Sequence, residues 1–156
     1  MIMYGQYAYV PDTEGAGKYR GSLSVVRDWV FLGDEAILQL RTDRQKIPPY
    51  GLQGGKPGAL SESIINPGTD NRRIGKATIR LKRGDVYRLI TQGGGGWGDP
   101  LERDVRLVLD DVRNDKVSIT RAREVYGVII NKDTLAVDTD ETGRLRDSMK
   151  RQAASK

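Results

Sequence analysis

Seventeen of the 19 glycines lie within the first 100 residues, and four of them run consecutively at Gly93-Gly94-Gly95-Gly96. Each glycine inside a regular element costs about 0.5–1 kcal/mol relative to alanine. Such a run therefore persists only where a side chain would be in the way. Two arrangements meet that condition. The amides of Gly94, Gly95 and Gly96 can approach a phosphate or a substrate anion unhindered, or the backbone can thread a crowded passage inside an assembly. Neither the GxxxxGK[ST] spacing nor a GxGxxG placed between strand and helix is present. The crowded passage is the favoured expectation.

The remaining punctuation predicts an α+β chain: a glycine-rich β-hairpin and sheet region over residues 1–100, then short C-terminal helices over residues 101–152 of the same domain, with a flexible tail at 153–156. A first hairpin is expected to join the segment from Leu23 through Phe31 to residues 36–40 across Gly33-Asp34-Glu35. A second is expected over residues 77–91, turning at Lys82-Arg83-Gly84-Asp85. Residues 47–69 hold four prolines and five glycines, which predicts a long loop without an unbroken regular element, ordered by a partner or a neighbouring domain.

Beyond residue 100 the period changes. Val105, Val108, Leu109 and Val112 fall at i, i+3, i+4 and i+7 behind Asp104, one apolar helical face. Ser118 is placed to cap a second helix that Gly127 stops. Residues 128–130 and 135–137 suggest a small hairpin. Asp138, three residues before Glu141, has the spacing of a cap for a last helix, expected to fade by Gln152.

The chain has no cysteine and no histidine. Disulfides, thiolate chemistry and a Ser/His/Asp triad are therefore excluded within it. The missing cysteine fits a reducing cytoplasm. No apolar stretch approaches the roughly 20 residues needed to span a bilayer, so no membrane partner is expected. The formal charge is +5, with bases and acids interspersed; a nucleic-acid partner is disfavoured against an ordinary solvated surface. Aromatic residues make up only 6% of the chain, which limits the core it can build alone.

Arg41, Asp43 and Arg44 precede a proline-glycine loop. Two guanidinium forks there could grip a carboxylate or phosphate, or they could form a structural salt bridge that pins the loop, the preferred alternative. The carboxylates at Asp110-Asp111 and at Asp138, Asp140 and Glu141 lack EF-hand spacing and are expected to cap helices or face solvent. No metal site is expected in this chain, and its residues nominate no catalytic group.

Several ordered motifs carry a resemblance. Residues Asp12-Thr13-Glu14-Gly15-Ala16-Gly17-Lys18-Tyr19-Arg20-Gly21, then Thr42-Asp43-Arg44, Pro48-Pro49-Tyr50-Gly51-Leu52, Gly54-Gly55-Lys56-Pro57-Gly58 and Asn66-Pro67-Gly68-Thr69 stand in the order in which the family has them. They are followed by Gly93-Gly94-Gly95-Gly96-Trp97-Gly98-Asp99-Pro100-Leu101-Glu102-Arg103-Asp104 and by Glu124-Val125-Tyr126-Gly127-Val128. The chain resembles the C-terminal portion of the hydantoinase B/oxoprolinase family. It departs from the family at Thr13-Glu14, where Ser-Gly is common, at Ser22, where glycine is common, and at Gln45, where many members carry histidine. The resemblance implies a small subunit that completes a B-type subunit, whose N-terminal part lies on another chain. The partners it implies are that N-terminal part and an A-type, ATP-using subunit. The whole would open cyclic amides of hydantoin or oxoproline type or carboxylate ketones. ATP and a divalent metal are expected on the partner subunits, with no cofactor bound by this chain alone. The rival from another class is a freestanding basic module that binds nucleic acid or other anions.

Overall fold

The computed structural model describes residues 1–155. Five strands form one antiparallel sheet in the order β1 (Ile2–Val10), β2 (Ser24–Phe31), β7 (Val86–Ile90), β4 (Glu62–Ile65), β5 (Arg72–Arg73). Strands β3 (Glu35–Leu40) and β6 (Ala77–Lys82) form a separate antiparallel pair. The helical part contains a short 3-10 turn at Pro100–Glu102, α1 (Val105–Arg113), α2 (Ile119–Tyr126), the small pair β8 (Ile129–Ile130) and β9 (Val137–Asp138), and α3 (Thr139–Ala154). No helix among the described residues is long and apolar enough to cross a membrane.

The expected strands exist, but neither expected hairpin does. β2 pairs with β7 and β3 pairs with β6, so each sequence-local pair is split between sheets. The β3–β6 pair continues the β2–β7 pair beyond the five-stranded sheet, with a corner between them. Pairing reaches Val30↔Val86 and resumes at Glu35↔Lys82, leaving four residues on one strand opposite three on the other. That extra residue acts as a bulge, which bends a ribbon and increases its twist. Gly84, with φ 89°, supplies the turn, and its amide donates to the Phe31 carbonyl at 2.8 Å. The bend wraps Leu40 and Leu81 over Ile65 and Tyr87, forming the first core cluster, with Trp29 stacked on Tyr87 at 5.3 Å between ring centroids. Burial of that core selects the pairing, and local turn chemistry is silent about it.

Two further strands depart from expectation. β4 lies inside the segment predicted to hold no regular element. Ser63 and Ile65 are almost fully buried there, because the strand is flanked by β7 and β5. β1 carries no alternation of polar and apolar residues, since neither of its faces is buried; a register shift at Gly5 interrupts its pairing with β2.

The helical part follows the sequence closely. Asp104 accepts from the Arg106 amide, Ser118 from the Arg121 amide and Asp138 from the Glu141 amide, while Gly127 ends α2 in the left-handed conformation. Each cap satisfies an amide that the first turn leaves without a helical partner. Val108, Val112, Ala122, Tyr126 and Val128 form the second core, and Ala16, from the glycine-rich half, is fully buried among them. α3 runs to Ala154, two residues beyond the expected fade at Gln152; of the expected tail, Lys156 lies outside the described residues.

Candidate functional site

The glycines converge on a single feature. Three extended segments, residues 13–22, 50–58 and 93–98, lie side by side and are linked by backbone hydrogen bonds. The Gly15 amide donates to the Gly94 carbonyl at 2.7 Å, Gly94 to Ser22 at 2.8 Å, Gly96 to Lys56 at 3.0 Å and Lys56 to Ala16 at 2.7 Å. The segments approach so closely that side chains are excluded. A Cβ on Gly95 would stand 1.9 Å from the Tyr50 carbonyl oxygen, and one on Gly96 would stand 2.2 Å from that of Ala16. The Gly93, Gly94, Gly96, Trp97 and Gly98 amides all donate to carbonyls of the neighbouring segments. These amides are engaged in the lattice itself and do not point at a cavity.

Buried ion pairs fasten this lattice to the helices. The Glu14 carboxylate, fully buried, accepts from Arg121 Nε at 2.7 Å and from the Tyr126 hydroxyl at 2.9 Å; Arg121 also donates to the Glu14 carbonyl. Burial, then the charge and hydrogen bond of Glu14, push the Tyr126 phenol far above its ordinary value, so it stays a proton donor. Six residues along, Arg20 holds Asp111 through two bonds of 2.8 Å, and Arg103 adds a third at 2.9 Å. Asp111 is therefore buried and clamped, and the expectation of a solvated carboxylate is corrected for that residue. Desolvation raises its pKa, but the hydrogen bonds and charges of Arg20 and Arg103 outweigh it and hold the carboxyl below its ordinary value. Arg146 completes the network by donating to the carbonyls of Tyr126 and Arg103. The partners in these pairs stand 107, 112 and 91 positions apart, so no local pattern announces them. The isolated acidic and basic residues of the 12–21 motif were the available signal.

Arg41, Asp43 and Arg44 sit elsewhere, after β3. Asp43 pairs with Lys76 at 2.8 Å and with neither arginine. The hydrogen bond from Lys76, then its charge and that of Arg44, lower the Asp43 carboxyl from its ordinary value. Arg44 adopts φ 61°, and its carbonyl accepts from the Ser61 amide. Arg41 borders a cleft of about 470 Å³, and Arg44 borders one of about 510 Å³ with Lys46; Lys76 lines both. Gly94, Gly95 and Gly96 line neither cleft. The two sets of sequence candidates are thus separate features: a lattice in which the Gly94 and Gly96 amides are engaged, and an exposed basic loop.

Comparison with known proteins agrees with this geometry. The profile described as hydantoinase B/oxoprolinase matches residues 2–100. An uncharacterized protein of Methanocaldococcus jannaschii is 43% identical over 93% of this chain and 26% of its own length. The caprolactamase subunit beta of Pseudomonas jessenii is 29% identical over 83% of this chain and 23% of its own. The crystal structure of the ATP-dependent caprolactamase from Pseudomonas jessenii superposes with a TM-score of 0.75 at 25% identity, covering 94% of this chain and 26% of that one. The chain spans about a quarter of the length of these relatives. With more than half of its residues inside the family profile and the same fold in a solved relative, the chain belongs to the hydantoinase B/oxoprolinase family.

Proposed function

We propose that this chain completes a B-type subunit of a cytoplasmic, ATP-dependent, multisubunit enzyme that opens cyclic amides of hydantoin or oxoproline type or carboxylates ketones. Its own role is architectural. The observation that carries this is the state of the glycine lattice. Its engaged amides and its buried partners, Glu14 with Arg121 and Asp111 with Arg20 and Arg103, hold the chain itself together. A phosphorylated intermediate made by an ATP-using A-type subunit needs shelter from water. A wall of close-packed backbone provides it without offering a competing nucleophile. ATP and a divalent metal belong to the partner chains in this proposal.

A contribution to substrate binding would come through Arg41 and Arg44, whose guanidinium groups have no carboxylate within 4 Å among the described residues. They are suited to a carboxylate or phosphate at the edge of the shared site.

The test is co-purification of the tagged chain from its native cells with native mass determination. Stoichiometric recovery of an A-type subunit and the remainder of a B-type subunit is expected, with ATP-dependent turnover in the recovered complex. A stable, partner-free monomer would overturn the proposal. In the active complex, replacing both Arg41 and Arg44 with alanine is expected to raise KM while leaving kcat in place, the sign of lost ground-state binding.

A further inference from the structure

We infer that the outer edge of β1 is a docking edge, which receives an extended strand from the remainder of the B-type subunit and makes β1 an interior strand of a larger sheet. This rests on the subunit reading above and adds the surface and the mode of contact.

The backbone directions follow from the hydrogen bonds. The Thr91 amide donates to the Val25 carbonyl and the Phe31 amide to the Asp85 carbonyl, so the odd-numbered residues of β2 face β7 and the even-numbered ones face β1. Across the register, Val30, Asp28, Val26 and Ser24 stand opposite Met3, Gln6, Ala8 and Val10. Those four residues turn their backbone groups toward β2. Ile2, Tyr4, Tyr7 and Tyr9 turn theirs outward, and no backbone hydrogen bond reaches them from that side among the described residues. The shift at Gly5 keeps the outward set in phase along the strand.

Edges that remain in solvent are blunted by charge, proline or shortness. β1 runs for nine residues, IMYGQYAYV, with neither a charged residue nor a proline. The outward set is apolar or aromatic and exposed, at 60% for Ile2, 68% for Tyr4, 64% for Tyr7 and 66% for Tyr9. An apolar cleft of about 350 Å³ continues from its start, lined by Ile2 with Trp29, Phe31, Ile37, Leu81 and Tyr87. Strand addition joins ladder hydrogen bonds with pockets for alternate side chains, and this edge and cleft provide both. The occupant follows from length: relatives that match nearly all of this chain carry about three-quarters of their residues outside the match. The larger polypeptide supplies the strand.

Residue-resolved amide exchange on the full chain, free and in the recovered complex, tests this. The amides of Tyr4, Tyr7 and Tyr9 are expected to exchange fast in the free chain and to fall in the complex to the slow rates of Gln6 and Ala8. Tyr7→Pro removes one outward N–H, a change an open edge tolerates, and should abolish recovery of the B-type partner while the Trp29 near-UV signal is retained. Tyr7→Lys, which keeps every backbone donor, should weaken recovery. Recovery of the partner with these amides still fast would overturn the edge assignment and leave the subunit reading standing. Protection of the same amides in a dimer of this chain alone would overturn it in favour of self-pairing. Absence of any partner, with fast amides throughout, would remove the subunit reading as well.

Discussion

At the scale of single residues, glycine has two different meanings in this chain. Gly95 stands where a Cβ would overlap the Tyr50 carbonyl oxygen, and backbone cannot retreat as a side chain can. Gly95→Ala is expected to cost about 3 kcal/mol or more. Gly143 lies in α3 with nothing within 4 Å of its Cβ position, so Gly143→Ala should stabilise by about 0.5–1 kcal/mol. Equilibrium urea unfolding of the two variants, compared at unchanged m, checks both signs. The same scale holds the clamp on Asp111. Asp111→Asn leaves Arg103, 8% exposed, and Arg20 without their counter-charge, and should cost about 3–5 kcal/mol. Because the folded carboxyl titrates below its unfolded value near 4, its contribution is present above that pH and is lost as pH falls through the folded pKa. The wild-type protein should lose stability on acidification below about pH 4, and Asp111→Asn should show a flatter profile there. Acid titration followed by Trp fluorescence reads the difference. The exposed pairs, such as Arg83 with Asp34, add little by comparison.

At the scale of elements, the helices depend on near neighbours and the strands on distant ones. Ser118 receives the Arg121 amide at 3.0 Å, and Ser118→Ala should destabilise by about 1 kcal/mol in the same urea assay. Every cap, stop and apolar face of α1, α2 and α3 lies within one or two turns of the residues it serves, which is why spacing alone places them. A strand has no such autonomy. β2 and β3 look like a hairpin because a glycine turn joins them, yet β3 pairs with β6, with Leu40 opposite Ala77, and β2 with β7, with Val26 opposite Ile90. β4 was hidden by the prolines and glycines around it, and β1 by the absence of a buried face to impose alternation.

At the scale of the whole molecule, the glycine lattice joins the β region, whose core is its own, to a helical core that residues 101–155 do not complete. Ala16 sits at full burial in the helical core, while Glu14 and Arg20 reach Arg121, Tyr126 and Asp111 from the same segment. Residues 101–155 expressed alone should therefore fail to hold their helices, with far-UV circular dichroism reporting a largely unfolded chain; a helical spectrum equal to that segment's share of the intact protein would contradict this. The exposed β1 edge and its adjoining apolar cleft belong to this scale too, since they acquire a meaning only in a larger assembly.

The amino-acid sequence alone determined the α+β class, the helix caps at Asp104, Ser118 and Asp138, the lack of thiol and imidazole chemistry, and the crowding signalled by Gly93 to Gly96. Each follows from residue type or from contacts spanning a few positions. The tertiary structure decided which strands pair, which carboxylates are buried, and where the glycine run lies against its neighbours. These rest on contacts between residues up to 112 positions apart, where the energy comes from burying shared surface and desolvated charge, quantities that exist only once the chain has closed on itself.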